Sequence, residues 1–461
     1  MKARLAYLWS GLALLAISLV PLGGIRVPIL VDLPEQLAVA KLFAEKVQGV
    51  STLNVEISGY YGYRFFPVYA TAALRSFAAL GLDPALLPSA LTAGLVLLNG
   101  IVLLWVLKAW TGARNIDASW SLALLPLTCI YASTFYIGFV NFFPAIPFLI
   151  LALSCAEKWL GSLRPVHLAG FAAALFLVYV CHPFVLVFWF AWAACRMAVL
   201  LPIRRALPWP PIVALVAVTG LVVLYHVTQT PSAIGIGNAA VTYSQILDPL
   251  PYWLANRVLP FVTGDFFGLE RNVYTRLYAL AAVALTAGSL VHLVVTKSWS
   301  GTPGQLLLTA VLFCIVCSLP NEAAIPTPPL VALAYDLRFA STAPPILMVF
   351  TCVYLFDVVA LRRGPARIVF SAVCAACVVV CMLHLVQVRQ WFQQFDAFAR
   401  PNMAAIARGG DSVQGRFASK FHADGSYIRH YRCLFRADCV PSDSWFLEMN
   451  NLSLFPIRLL P

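Results

Sequence analysis

Residues 63–81 read "YRFFPVYATAALRSFAALG", and their reading decides on which side of a membrane everything downstream lies. The stretch is apolar enough to cross, yet it carries Arg64 and Arg75 eleven residues apart. If it crossed, every later loop would change sides. The tendency of Lys and Arg to stay in cytoplasmic loops settles the choice. With Lys2 and Arg4 inside and the stretch lying flat, the inward connections hold Lys108 and Arg114, then Lys158 and Arg164, then Arg204 and Arg205. Lys297 and the group Arg362, Arg363 and Arg367 complete the set. The short outward turns are almost free of Lys and Arg. The stretch therefore reads as a helix in the outer interface.

Composition supports a membrane setting. The 461 residues are 61% hydrophobic and 11% charged, with a mean hydropathy of +0.84. A soluble domain carries about 25% charged residues. The apolar segments are continuous and long enough to span, which excludes the ten-residue alternation of a β-barrel. The net charge of +12 belongs to the inward loops, and no basic run interleaved with aromatics points to nucleic acid.

Eleven spans are expected, at roughly 5–25, 85–107, 116–134, 139–157, 165–182, 184–202, 208–228, 274–296, 304–320, 343–361 and 366–387. "MKARLAYLWSGLALLAISLV" reads as an uncleaved first span, because no small-residue cleavage site follows it. The fold class is thus all-α and polytopic, with a module over 1–390 and a small external tail over 391–461. External loops fall at 26–84, 229–274 and 321–341.

Ten of the twelve cysteines lie in apolar spans, where Cys acts as a small hydrophobe. "CIVC" (314–317) and "CAAC" (374–377) lack the polar loop context of a metal or redox site. Cys433 and Cys439 lie in the polar tail and are positioned to pair if that tail is exported.

The first loop opens with "ILVDLPEQLAVAKLF" (29–43). Leu37, Val39, Ala40, Phe43, Ala44 and Val47 share one side at helical spacing, so an amphipathic interfacial helix is expected. Asp32 and Glu35 then have the spacing of an N-cap and its N3 partner. The same spacing brings two carboxylates together at a helix start.

Three pieces of sequence carry a resemblance: Asp32 with Pro34, "GFVNFFPAIPFLILAL" (138–153) and "YDLRFA" (335–340). With the layout of residues 1–390, they resemble the GT-C superfamily of integral membrane glycosyltransferases. The resemblance implies sugar transfer from a polyprenyl-phosphate donor at the outer face of a bacterial inner membrane. The acceptor would be an envelope glycan, lipid or protein. The N-terminus would be cytoplasmic and the tail periplasmic. Asp32 matches the acidic residue that acts as base, with Glu35 beside it. Asn141 stands where a second carboxylate is often found, which weakens a metal-dependent mechanism. The need for a divalent metal stays open.

Such chemistry requires a base on the acceptor hydroxyl and a cation over the departing phosphate. Arg338 is the expected phosphate ligand, because a guanidinium offers a planar fork to phosphate oxygens. His182 and His226 end spans on the outer side, near the expected level of Asp32. Tyr60 and Tyr61 are placed to stack on a sugar, with Asn141 lining the same cavity. Two other classes compete: a lipid or glycolipid flippase, and a non-catalytic membrane assembly protein.

Overall fold

The computed structural model describes residues 2–30, 32–57, 61–111, 118–132, 135, 138, 140–203, 209–229, 272–318, 335–358, 365–410, 412–415, 417, 426–437, 439–440 and 457–459. The chain is an all-α membrane protein. Among the described residues, six helices are long and apolar enough to cross a bilayer, and four shorter apolar helices accompany them.

The first apolar helix, α1 (Lys2–Ser18), runs antiparallel to α4 (Leu87–Thr111). The Tyr7 hydroxyl donates to the Leu104 carbonyl, and Gly100 lets the two backbones approach. A Cβ at Gly100 would stand 2.6 Å from the Leu15 side chain. Small residues serve helix contacts in membranes this way.

Between them lie α2 (Leu33–Gln48), the short strand β1 (Val55–Ile57) and α3 (Phe65–Ala79). Helix α3 has 15 residues. At 1.5 Å per residue it reaches about 22 Å, short of the roughly 30 Å apolar core. The Arg64 amide donates to Val180, and the Tyr69 hydroxyl to Leu91 near the start of α4. Both contacts come from the first turns of α3 and tie its start to the end of the bundle where α4 begins.

The expected span at 116–134 is not one helix. It is a 3₁₀ segment (Ala118–Ala123), a single turn α5 (Leu124–Thr128) and a run of turns. Pro126 cannot donate a helical hydrogen bond. Its neighbours are nearly all buried, so protein groups meet the exposed backbone: the Tyr278 hydroxyl donates to the Leu125 carbonyl. Irregular backbone persists at membrane depth only when enclosed by protein.

The remaining helices are α6 (Phe142–Ser162), α7 (Pro165–Cys181), α8 (Leu186–Ile203), α9 (Trp209–Gln229), α10 (Val273–Val295), α11 (Thr302–Ser318), α12 (Tyr335–Val358) and α13 (Pro365–Ala407). Helix α13 has 43 residues, roughly 65 Å of helix, so it crosses and then continues. The boundary expected at 390 falls inside it. Its far half buries Phe392, Phe395, Ala399, Met403 and Ile406 at helical spacing.

The tail folds back on the first loop. Strand β2 (Ile457–Leu459) pairs antiparallel with β1, Val55 opposite Leu459. Asp396 accepts from the Arg26 and Val27 amides and pairs with Arg400. A 3₁₀ turn (Ser426–Tyr431) and the one-turn helix α14 (Arg432–Phe435) pack on α2. Cys433 and Cys439 form a disulfide.

Candidate functional site at one end of the bundle

The site begins at Asp32. It occupies the N-cap position of α2, but its side chain makes no capping hydrogen bond. Its backbone is helical, φ −85° and ψ −8°, whereas a capping residue adopts extended angles that swing its oxygen over the first amides. Pro34 in the first turn also removes one of those amides. The expected capping box is therefore absent. The amphipathic reading of α2 needs correction as well. Residues 33–40 are all buried, including Glu35 and Gln36 at 7% exposure. The first two turns are enclosed by α3, the tail and the loop before α6, instead of resting on lipid.

That loop approaches the Asp32 turn closely. Gly138 has φ +81°, and a Cβ there would stand 2.8 Å from the Asp32 nitrogen and 3.1 Å from that of Leu33. Only glycine fits both the conformation and the space. Three residues on, Asn141 ties three elements together. Its Oδ1 accepts from the Phe66 amide at 3.2 Å, and its Nδ2 donates to Gln36 Oε1 at 3.3 Å. Asn141 thus holds the start of α3 and the first turn of α2 at the start of α6. Behind this turn a cavity of about 10 Å³, lined by Leu30, Thr92, Phe135, Gly138 and Val140 among others, has room for a single water.

Phe142 carries the arrangement onward to His182, the C-cap of α7. The His182 ring meets Phe142 edge-on at 5.2 Å and Tyr63 at 4.7 Å. It is buried at 7% exposure. Next to Tyr63, the Arg64 guanidinium lies 4.3 Å above the Tyr61 ring. Tyr61 approaches Tyr225 at 6.2 Å, Tyr225 approaches Tyr179 at 5.7 Å, and Tyr179 meets His226 at 5.6 Å. Tyr61 is 44% exposed, so this side of the cluster is open.

Of the expected residues, Glu35, Tyr61, Asn141, His182 and His226 gather with Asp32 at one end of the bundle. Tyr60 lies outside the described residues. Arg338 lies in α12, but its side chain falls outside them, as does any measured separation from Asp32. Cys433 and Cys439 sit on the tail. Sequence reading used Arg64 only to judge whether 63–81 crosses and passed over Tyr63, Tyr179 and Tyr225. The available signal was a tyrosine near the C-terminal end of each of two spans, with an arginine ahead of an apolar helix.

Chemically, the site offers carboxylates at one side, a guanidinium held against aromatic rings at the other, and two imidazoles set among those rings. Among the described residues, no group of three or more His, Cys, Asp or Glu converges as a metal site. No family model, curated protein or solved structure matches the chain.

A second polar group lies at the opposite end. Arg196 on α8 grips both carboxylate oxygens of Glu157 on α6 and donates to Gln305 on α11 at 3.1 Å. Both charged side chains are buried. Sequence reading passed over this pair.

Proposed function

We propose that the chain is a membrane glycosyltransferase that moves a sugar from a polyprenyl-phosphate donor to an acceptor at the Asp32 face. The observation that carries this reading is the gathering of the Asp32 turn, Asn141 and the Arg64–tyrosine cluster at one end of an apolar bundle. Asp32 takes the proton of the acceptor hydroxyl as its oxygen attacks the anomeric carbon. The bond from that carbon to the phosphate oxygen breaks, and the electron pair leaves with the phosphate. Arg64 balances the charge there, joined by Arg338 if its side chain reaches the same face. Tyr61 and Tyr225 offer ring faces to the sugar, and His182 and His226 flank it. The proposed architecture is GT-C-like with eleven crossings, counting the broken segment before α6 as one; the six long and four shorter apolar helices support it.

The Asp32 face is read as periplasmic, with the N-terminus inside and the tail outside a bacterial inner membrane. The basic inward turns and the disulfide on that face support the assignment, because disulfides persist in oxidising compartments. The acceptor class is an envelope glycan, lipid or protein.

The flippase reading has its own support. Glu157 and Arg196 are ionisable groups buried in spans, and α10 buries Thr275, Tyr278, Thr286 and Ser289 along one face. Intramembrane polar groups of this kind mark transport paths. One experiment separates the two. The purified protein in lipid vesicles is offered a panel of polyprenyl-phosphate monosaccharides, and released polyprenyl phosphate and transbilayer movement of the donor are both measured. Release that depends on Arg64 supports the transferase. Movement without release supports the flippase and removes the transferase.

A further inference from the structure

Beside the 426–431 turn, the C-terminal segment meets α2 through a small ring, residues 433–439, closed by the Cys433–Cys439 disulfide. Lys41 of α2 reaches into that ring. Its ammonium donates to the carbonyl of Cys433 at 3.0 Å and to that of Arg436 at 2.5 Å. It also pairs with Glu45 one turn along α2, at 3.6 Å. On the ring's other side, Arg436 Nη2 donates to the Gly409 carbonyl, just past the end of α13. The ring therefore bridges the helix that starts at Asp32 to the end of the 43-residue helix α13.

The two carbonyls that hold Lys41 lie at the C-terminal end of α14, where helix carbonyls lack internal partners and attract a cation. Helix α14 has only four residues. A helix that short does not persist unaided, because its nucleus costs more than its hydrogen bonds return. The disulfide is the covalent constraint that keeps the two carbonyls on one side, facing Lys41.

We infer that the Cys433–Cys439 disulfide is a redox-sensitive latch. Oxidised, it presents the carbonyl pair to Lys41 and holds the C-terminal segment on α2. Reduced, it releases that segment and loosens the helix that carries Asp32 at its start. In the opening step a dithiol reductant attacks one sulfur of the bond, and a mixed disulfide forms. Its second thiol then closes on the first. The S–S bond breaks, two thiols form on the protein, and the reductant leaves as its own disulfide, having supplied two electrons and two protons. Cys433 is buried and Cys439 half-buried, so Cys439 is the sulfur that a reductant meets first.

The test uses the full-length protein in nanodiscs and reads hydrogen exchange, so it holds whether or not the glycosyltransferase reading does. Four samples are compared: the oxidised protein, the protein reduced with dithiothreitol and alkylated, C433S/C439S, and Lys41→Met with its disulfide intact. The latch predicts amides of 55–57 and 426–435 exchanging about tenfold faster or more in the last three samples, through local opening. The bundle helices keep their oxidised pattern. Four outcomes would overturn it: free thiols at both positions before reduction, a disulfide that dithiothreitol does not open in the folded protein, unchanged exchange after quantitative alkylation, or unchanged exchange in Lys41→Met. If C433S/C439S fails to fold, the reduced wild type and Lys41→Met still decide.

Discussion

Replacing Arg196 with Met strands the Glu157 carboxylate in the bundle, and the structure allows its cost to be worked out. The two side chains are 8% and 5% exposed, and the guanidinium contacts both carboxylate oxygens and Gln305. Breaking a buried pair from one side costs about 3–5 kcal/mol, because the remaining charge has lost its partner. Glu157→Leu strands the Arg196 guanidinium in the same way and costs a similar amount. The double variant E157L/R196M leaves no stranded charge and lies within about 1 kcal/mol of wild type, or above it. Thermal unfolding in detergent, followed by tryptophan fluorescence, measures all three. Single variants that melt with the wild type, or a double variant as damaged as the two singles together, would refute the reasoning.

Three further outcomes follow from the site and its surroundings. Gly138→Ala forces a Cβ against the Asp32 backbone and a side chain into φ +81°, which alone costs about 1–2 kcal/mol; faster hydrogen exchange over 30–36 is the readout. Asn141→Ala leaves the buried Phe66 amide and Gln36 oxygen without that partner, at about 1–3 kcal/mol, seen as a lower melting temperature. Burial pushes the Tyr69 hydroxyl up to about 12. The unfolded tyrosine ionises near 10, so Tyr69 supports the fold fully below that pH and ceases to do so as pH rises toward 12. Tyr69→Phe therefore melts with a shallower alkaline decline than wild type.

Legibility in the sequence followed the physics that each signal reports. The scarcity of charge and the length of the apolar runs are properties of the chain alone, and they announced a helical membrane protein. Arg64 and Arg75 within 63–81 argue against a crossing, because charge in the apolar core is costly, and the helix formed there has 15 residues. The segment at 116–134 misled, because hydropathy reports apolarity and not helicity. Its residues are apolar because they are enclosed, and enclosure also tolerates the break around Pro126. The Asp32–Glu35 spacing suggested a cap, but a cap depends on backbone angles at Asp32 that spacing does not encode. Lys41 and Glu45 fall outside the apolar side of the expected helix, and nothing in their spacing shows that Lys41 faces carbonyls of the tail 392 and 395 residues away in the chain. Glu157 and Arg196 escaped notice for the same reason: 39 residues separate them, and only the packing of α6 against its neighbours brings them together.

The central claim rests on Asp32 as the base in sugar transfer, and one comparison tests it directly. Wild type, Asp32→Asn and Glu35→Gln, each shown to fold by the same thermal unfolding, are assayed with the polyprenyl-phosphate sugar that supports turnover. Loss of a positioned general base lowers rate by about 10²–10⁴-fold. The account predicts that fall for Asp32→Asn and a smaller one for Glu35→Gln. Equal rates for wild type and Asp32→Asn would contradict it.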